Sequence, residues 1–342
     1  MRFPEMSNEQ RRQLIDAQQA FKLWREADQE FRRGYPPLYR GFRATMRWKR
    51  VEGKEYLYRG DKSLGARAPE TERIKAEYTE QRTKLRARLT KLAGRLEEMR
   101  RVNRALGLGR VPGIAARVLH RLDAEGLLGK QVFVAGTHSL YAYEARAGIF
   151  FDGNLTSTKD IDFLWDTRQR FTFLQQGLHE QGVLGLLQQV DGTFRKVSTY
   201  NAANDDPYMV DLIRPAHKNE GFVALPRITR RPDDLDPAAI RGLQWLVNAP
   251  KFEEVVIGED GRPAMLVCID PRAFALHKLW LSKLPERGRA GRRDAAQANA
   301  VAAVALRYMD LKFSKKDLSA IHGDLLAGIP QLSKAAKELE LS

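Results

Sequence analysis

Two short apolar segments of this 342-residue chain carry acidic residues where a buried strand normally has none. Segment 160–165 (DIDFLW) contains Asp160 and Asp162, and segment 208–213 (YMVDLI) has Asp211 near its centre. Both segments have the length and apolar content of strands. A charge in such a strand is strongly unfavourable unless it is paired or binds a metal ion. The three aspartates therefore predict a functional site.

The spacing of the first two aspartates indicates which ion this site would hold. Alternate strand residues project from one face, so Asp160 and Asp162 are about 6.6 Å apart along the backbone. This separation suits two carboxylates that jointly hold two Mg²⁺ ions about 3.5–4 Å apart. Mg²⁺ prefers oxygen ligands and keeps several waters, which leaves room for substrate phosphates. We expect two Mg²⁺ ions, with Asp211 as the third ligand.

A glycine turn precedes this segment. Residues 131–135 (QVFVA) predict a buried strand that ends at Gly136, and residues 139–146 predict a helix directly after Thr137. Glycine allows close backbone approach, and a helix N-terminus offers free N–H groups to a phosphate. Gly136 and Thr137 are therefore candidates for phosphate binding. The adjacent His138 could contact a nucleotide or have a structural role.

Strands and helices alternate between residue 107 and about residue 220, which is typical of a mixed α/β domain. Residues 194–200 predict a further strand, followed by a polar turn at 201–207. Beyond residue 233 the pattern predicts a hairpin, 252–257 with 264–269, among helices. Those helices are expected at residues 235–247, 271–284, 292–309 and 315–326.

These patterns predict an α+β fold in three segments. A basic helical arm with a β-hairpin occupies residues 1–106, and a mixed-sheet core occupies residues 107–232. A mostly helical C-terminal domain occupies residues 233–342. Within the arm, a capping-box pattern from Ser7 to Gln10 predicts the start of a helix that runs to about Arg33.

Most of the positive charge is near the N-terminus. The chain has 58 Lys and Arg against 43 Asp and Glu, a formal net charge of +15. Residues 1–130 hold 31 of these basic and 17 of these acidic residues, so they account for +14. Such a field attracts polyanions, first nucleic acid and second an anionic membrane surface.

The arm contains two further predicted elements. Residues 69–106 form one long helical pattern with a narrow apolar stripe and many exposed Lys and Arg. This helix is either a solvated arm packed along one seam or an arm that binds nucleic acid, and the two are compatible. Residues 45–59 predict a hairpin, and residues 60–67 a loop. The aromatic residues of the hairpin could stack bases or pack against the arm: Trp48, Tyr56 and Tyr58.

Several classes of protein are excluded. No run of about 18 apolar residues is present, and the N-terminus lacks the apolar core of a signal peptide. The single cysteine, Cys268, excludes an intramolecular disulfide framework. We therefore expect a cytoplasmic protein without a membrane partner.

The ordered set of a glycine turn, a DID strand and a third aspartate strand resembles the core of the DNA polymerase β-type nucleotidyltransferases. The segments 136–140 (GTHSL) and 159–163 (KDIDF) are similar to those of the minimal bacterial branch that includes the AbiE-type toxins. This resemblance implies a nucleotidyltransferase-type mixed sheet. It also implies a helix lysine that contacts the triphosphate and a later Arg-Asp pair. Lys278 and the pair Arg293-Asp294 match these two features.

The expected reaction is attack of an acceptor hydroxyl on the α-phosphate of an NTP, with release of pyrophosphate. Asp160, Asp162 and Asp211 are the expected catalytic and metal-binding residues. Gly136, Thr137, Lys278 and Asp294 are the expected nucleotide-binding residues. RNA, including the tRNA 3′ end, is the expected acceptor, held by residues 1–106. Two alternatives stay open, AMP transfer to a protein hydroxyl and an inactive RNA-binding scaffold. The NTP used, a toxin or housekeeping role and the oligomeric state do not follow from the sequence.

Overall fold

The structure is a computed structural model, and it describes residues 3–33, 41–168, 176–216, 229, 231–316, 318, 321 and 323–341. The chain forms two compact units, residues 15–102 and residues 1–14 together with 103–342. The three segments predicted above have other boundaries, and that division stays a prediction. Among the described residues, no helix is long and apolar enough to cross a membrane.

Helix α1 (Asn8–Arg33) begins at the predicted capping box. The Ser7 backbone N–H donates to Gln10 Oε1 at 2.9 Å, and the Gln10 backbone N–H donates to Ser7 Oγ at 3.1 Å. These reciprocal bonds satisfy two N–H groups that a helix start otherwise leaves without partners. The predicted helix and its first residue are therefore confirmed.

The smaller unit contains an antiparallel three-stranded sheet in the order β1-β2-β3. Its strands are β1 (Met46–Val51), β2 (Lys54–Arg59) and β3 (Lys62–Ala66). The predicted hairpin is confirmed, but the predicted loop over residues 60–67 is wrong because β3 lies there. Gly60 makes the turn with φ 57°, and β3 pairs with β2 through a β-bulge. Cross-strand pairing thus outweighs the local turn signal of the glycines.

The long helix predicted after residue 69 is confirmed as α2 (Pro69–Ala105), 37 residues without a break. Its apolar stripe is buried at Tyr78 and Leu85, which pack with Phe42, Met46 and Leu57. Exposed positions of this helix within the smaller unit carry a row of cations: Lys84, Arg86, Arg88, Lys91, Arg95 and Arg101. The smaller unit therefore has a small apolar core and a basic surface.

The larger unit is built on one mixed sheet of eight strands, which confirms the predicted mixed-sheet fold. The strand order is β10-β11-β4-β5-β8-β7-β6, and β9 also pairs with β8. The strands are β4 (Val132–Ala135), β5 (Asp160–Trp165), β6 (Arg195–Lys196), β7 (Asn201–Ala203), β8 (Met209–Pro215), β9 (Ala238–Ile240), β10 (Lys251–Ile257) and β11 (Pro263–Ile269). The neighbours β11 and β4, β5 and β8, and β8 and β9 are parallel.

Three local predictions in this unit are wrong. Residues 194–200 contain only the two-residue strand β6, and β7 lies in the predicted turn at 201–207. Residues 235–247 are not one helix, because β9 pairs with β8 and Gly242 then turns the chain with φ 85°.

The predicted hairpin of β10 and β11 is present, and it pairs with β4 as part of the central sheet. The apolar β11 is buried along its whole length, which explains this position.

The larger unit also contains α-helices. They are α3 (Gly113–Ala124), α4 (Ser139–Ala147), α5 (Gly153–Thr156), α6 (Gln176–Val190), α7 (Leu243–Asn248), α8 (Pro271–Ser282), α9 (Gly288–Tyr308), α10 (Gly323–Leu326) and α11 (Ile329–Leu341). Helices α8 and α9 confirm the predictions at 271–284 and 292–309. Only α10 lies within the helix predicted at 315–326, where residues 317, 319, 320 and 322 are outside the described residues.

Candidate active site

The three aspartates lie side by side on two neighbouring strands. β5 and β8 pair in parallel, with Asp162 opposite Asp211 and Asp160 opposite Met209. One carboxylate oxygen of each aspartate lies within 4.8 Å of the others. The intervening Ile161 is fully buried on the opposite face, as strand alternation requires. The parallel register thus brings Asp211 next to Asp160 and Asp162, although Asp211 lies 49 positions after Asp162 in the sequence.

Burial and the neighbouring carboxylates raise the pKa values of two of the three aspartates, Asp162 and Asp211. Burial raises the pKa of Asp162 to about 7, and the carboxylates of Asp160 and Asp211 add to the rise. Burial and Asp160 also raise the pKa of Asp211. Lys278 and Arg287 act in the opposite direction on Asp162. A cation between the three carboxylates would remove the repulsion that adds to the effect of burial.

The donor set fits a divalent metal ion. Asp211 Oδ1 is buried and has no hydrogen-bond partner among the described residues. A buried carboxylate oxygen without a donor is unfavourable, and a cation is the natural partner for it. Three carboxylates also match the oxygen ligands that Mg²⁺ prefers. The residues present therefore suit Mg²⁺ at Asp160, Asp162 and Asp211.

Gly136 brings the backbone of the turn against this cluster. β4 ends at Ala135, which pairs with Asp162 across the antiparallel β4–β5 ladder. Gly136 has φ +68°, and a Cβ at this position would lie 2.1 Å from Asp162 Oδ2. Both facts require glycine here. The predicted turn is thus in place beside the carboxylates, directly before α4.

His138 is a buried side chain of this turn. Its ring is 1% exposed, and its Nε2 lies 2.9 Å from the hydroxyl of Tyr208, the residue before β8. Burial lowers the pKa of His138 to about 4, so the ring is neutral at physiological pH. The hydrogen bond links the glycine turn to the strand that carries Asp211. Of its two interpretations, these contacts favour the structural one.

Two cations, Lys278 and Arg287, lie near the carboxylates and share one further acidic partner, Asp294. Lys278 Nζ on α8 donates to Asp294 Oδ1 on α9 at 2.8 Å. Arg287 donates to Asp294 Oδ2 from Nε at 2.9 Å and from Nη2 at 2.7 Å. Asp294 is 2% exposed, so both of its oxygens are occupied by these bonds. The structure therefore joins Lys278 and Asp294, and it adds Arg287, which sequence reasoning missed.

Two other side chains of α9 hold the backbone around the site. Gln297 Nε2 donates to Thr137 Oγ1 at 3.2 Å and to the Leu155 carbonyl at 2.8 Å. Arg293 donates to the carbonyls of Leu155 and Ser157, in the segment that leads to β5. Asp294 and Gln297 are three residues apart and so share a face of α9. No local sequence pattern distinguishes Arg287 and Gln297 from the other polar residues on or next to α9, such as Arg289 and Arg292.

Comparison with known proteins agrees with this geometry. A family model described as nucleotidyltransferase matches residues 114–322, which include all the site residues above. The curated proteins and the solved structures yield no significant match. The match covers more than half of the chain and includes the strands with the three aspartates and the helices with Lys278 and Asp294. The chain belongs to the nucleotidyltransferase family.

Proposed function

We propose that this enzyme moves an NMP group from an NTP to an acceptor hydroxyl in a Mg²⁺-dependent reaction. The observation that carries the proposal is the cluster of Asp160, Asp162 and Asp211 beside the Gly136 turn. In the reaction the acceptor oxygen forms a bond to the α-phosphorus, and the bond from that phosphorus to the pyrophosphate oxygen breaks. The hydroxyl proton leaves with the help of a carboxylate, and pyrophosphate is released.

Each aspartate has its own proposed role. Asp160 and Asp162 would hold two Mg²⁺ ions, and Asp211 would bind the catalytic one and help to remove the hydroxyl proton. Bound Mg²⁺ supplies positive charge that stabilises the phosphates and lowers the pKa of the acceptor hydroxyl. A carboxylate next to the metal-bound hydroxyl is placed to accept its proton. Strand geometry holds all three groups in position before substrate binds.

The phosphates of the NTP would lie between the glycine turn and the cations. Gly136 and Thr137 would bind the β- and γ-phosphates through backbone N–H groups near the start of α4. Lys278 and Arg287 would bind phosphate oxygens with charge-assisted hydrogen bonds. Because both oxygens of Asp294 are bound to these cations, we propose that Asp294 positions them and does not contact the nucleotide. A negative charge between two cations holds their side chains in one orientation.

The acceptor we propose is RNA, and a tRNA 3′ end is one such acceptor. The charge distribution supports this choice, since residues 15–102 hold 23 Lys and Arg against 13 Asp and Glu. A basic unit in the same chain as an acidic site suits a polyanionic acceptor. The AbiE-like branch and a toxin role belong to this proposal as its finer form, supported by the GTHSL and KDIDF segments. A protein acceptor and an inactive scaffold are alternative outcomes of the test.

Labelled nucleotides test the proposal directly. The full chain is incubated with Mg²⁺ and each of the four α-³²P NTPs, in the presence of total RNA or total protein. We expect label on RNA and release of pyrophosphate, with at least about 100-fold less product for Asp160→Asn. Asp206→Asn, an exposed aspartate after β7, is the matched control and should keep full activity.

Each other result identifies a different error. Label on protein alone would replace the acceptor and keep the chemistry. Transfer by the Asp160→Asn variant at the parent rate would contradict the role of the aspartate cluster. RNA binding without pyrophosphate release from any NTP would favour the inactive scaffold.

A further inference from the structure

One face of the β1-β2-β3 sheet combines basic and aromatic side chains. In the β1–β2 ladder, Arg47 lies opposite Tyr58, Lys49 opposite Tyr56, and Val51 opposite Lys54. Residues directly opposite each other share a face, and alternate residues of a strand share it too. These side chains therefore form one surface, named here the Arg/Tyr face: Arg47, Lys49, Lys54, Tyr56 and Tyr58.

The Arg/Tyr face is the outer surface of the sheet. The other face carries Met46 and Leu57, which are buried in the core of the smaller unit. Its neighbours Trp48 and Leu64 pack against the same core. On the Arg/Tyr face the three basic side chains are exposed and the two tyrosines are partly exposed. The tyrosine rings are thus accessible on the surface and are not among the residues of that core.

Positive charge on this face lacks an acidic counterpart. No Asp or Glu occupies any of the six paired positions of this face. Glu55 of β2 lies on the opposite face of the sheet, and its carboxylate pairs with Arg67 at 2.6 Å. Among the described residues, the basic side chains of the face form no ion pair. Lys49 Nζ instead lies 5.2 Å from the ring centre of Tyr58. A cation next to a partly exposed aromatic ring is an arrangement that suits a phosphate beside a stacked base.

The structure also separates Trp48 from the two tyrosines. The Arg67 guanidinium lies 5.2 Å and Lys75 Nζ 5.5 Å from its ring. Trp48 therefore belongs to the packing between sheet and helix. Of the two interpretations that the sequence left open, packing applies to Trp48, while Tyr56 and Tyr58 remain available for stacking.

We propose that the Arg/Tyr face binds the single-stranded part of the acceptor RNA. Aromatic residues on an antiparallel sheet stack two or three unpaired bases, and nearby Arg and Lys bind the phosphates between them. Tyr56 and Tyr58 are about 6.8 Å apart along β2, so each would stack one of two neighbouring bases. A duplex offers no free base faces for this contact. The inference rests on the proposed function in naming RNA as the acceptor.

Binding of a labelled 12-nucleotide single-stranded RNA to the full chain, without NTP, tests the face by fluorescence anisotropy. We expect Tyr56→Leu/Tyr58→Leu to weaken the Kd about fivefold or more, because two stacking surfaces are lost. The Tyr56→Phe/Tyr58→Phe variant keeps both rings and should bind within about twofold of the parent chain. Binding by the leucine pair within twofold of the parent would overturn the proposal.

The salt dependence of the same binding tests the basic side chains independently of the tyrosines. Arg47→Gln/Lys49→Gln should reduce the slope of log K against log salt by about 1.4, since about 0.7 counterions are released per phosphate contact. Lys315→Gln/Lys316→Gln removes two exposed charges outside the smaller unit and is the matched control. An equal loss of slope in the control would overturn the proposal. This pair decides the question if the leucine variant does not fold by circular dichroism.

Competitors and a transfer assay separate the remaining outcomes. A 12-base-pair RNA duplex or a poly-glutamate peptide that displaces the RNA as well as unlabelled single strand does would overturn the assignment. Single-stranded DNA that competes equally would keep the face and remove its preference for RNA. Binding with no NMP transfer would contradict only the proposed function. Equal transfer to RNA by the parent and the leucine pair would contradict only the face.

Discussion

The absence of a Cβ at Gly136 sets the geometry of the glycine turn. The backbone at Gly136 approaches Asp162 so closely that a Cβ would lie 2.1 Å from Oδ2. The φ of +68° is also unfavourable for any residue with a Cβ. Close approach of this kind places the backbone of the turn next to the carboxylates, where the proposed metal-bound triphosphate would contact both.

Gly136→Ala should therefore reduce NMP transfer by about 100-fold, because a displacement of about 1 Å at Asp162 is enough for such a loss. Left-handed backbone at alanine should also lower the free energy of unfolding by about 1–2 kcal/mol. Steady-state kinetics and thermal unfolding measure the two effects. In Gly192→Ala no atom meets the new Cβ, so this control should match the parent chain. Parent-like kinetics in Gly136→Ala would contradict the role of the turn.

Asp162 is placed for function at the expense of stability. Its pKa rises from 3.8 to about 7, so the folded chain holds this proton more tightly than the unfolded chain does. As the pH rises from about 4 to 7, the unfolded chain loses the proton first and the metal-free fold becomes less stable. Above pH 7 the full penalty of the buried charge is present.

Asp162→Asn should consequently stabilise the metal-free protein at pH 8 and abolish transfer. We expect a gain of up to about 4 kcal/mol in the free energy of unfolding at pH 8, since the pKa shift spans about three units and each unit corresponds to about 1.4 kcal/mol. The gain should be smaller at pH 5.5, where the native aspartate is still protonated. Denaturant unfolding in EDTA at both pH values measures it, with Asp206→Asn as control. A lower stability of Asp162→Asn at pH 8 would contradict the assigned shift.

Helix α9 connects the parts of the site that lie on different strands and loops. One of its faces presents Asp294 to the cations Lys278 and Arg287, and Gln297 to the glycine turn. Arg293 binds the backbone before β5. A helix is rigid over the single turn from Arg293 to Gln297, so it can hold the cations and the glycine turn at a fixed separation.

Gln297→Leu should raise the KM for NTP about tenfold and change kcat less than about threefold. Loss of the donor leaves the buried Leu155 carbonyl and Thr137 Oγ1 without this partner, which corresponds to about 1–3 kcal/mol. Initial rates over a range of NTP concentrations provide both constants. Gln331→Leu on α11 removes an exposed amide and should change neither. An unchanged KM in Gln297→Leu would show that the turn does not depend on α9.

The complete chain separates charge between its two units. Residues 15–102 carry a formal charge of +10, from 23 basic and 13 acidic residues, while the site in the larger unit is built on aspartates. Attraction of the proposed polyanionic acceptor would therefore come mainly from residues 15–102, and it would not compete with metal binding by the aspartates.

This separation predicts that salt acts on acceptor use more than on nucleotide use. Raising the salt from 50 to 200 mM should lower kcat/KM for RNA at least about tenfold, as expected when four or more phosphate contacts are weakened. The KM for NTP should change less than about threefold, because its contacts lie in a partly buried site. Transfer assays with RNA and NTP varied in turn measure both. Equal sensitivity of the two constants would contradict a separate acceptor surface.

Local patterns predicted much of this. Capping at Ser7, the unbroken helix α2 and the strand alternation of Asp160 and Asp162 depend on contacts between residues close in sequence, and the structure confirms these elements. The predictions that failed depend on backbone pairing between strands. Ala238 of β9 pairs with Ile213 of β8, 25 positions earlier, which no local pattern reports. Strand β3 pairs with the neighbouring β2 across the turn at Gly60, within a segment whose glycines indicate a loop.

The residues alone determined the chemistry that is available. Aspartates in apolar strands predict a site built on carboxylates, and a glycine between a strand and a helix predicts phosphate binding. Both predictions hold whichever strands pair with one another. Which groups meet depends on the tertiary structure. The parallel register sets Asp211 opposite Asp162, and the packing of α8 with α9 joins Lys278, Arg287 and Asp294. Register and packing are set by the summed burial and hydrogen bonding of segments far apart in the chain, and that sum is not contained in any one of them.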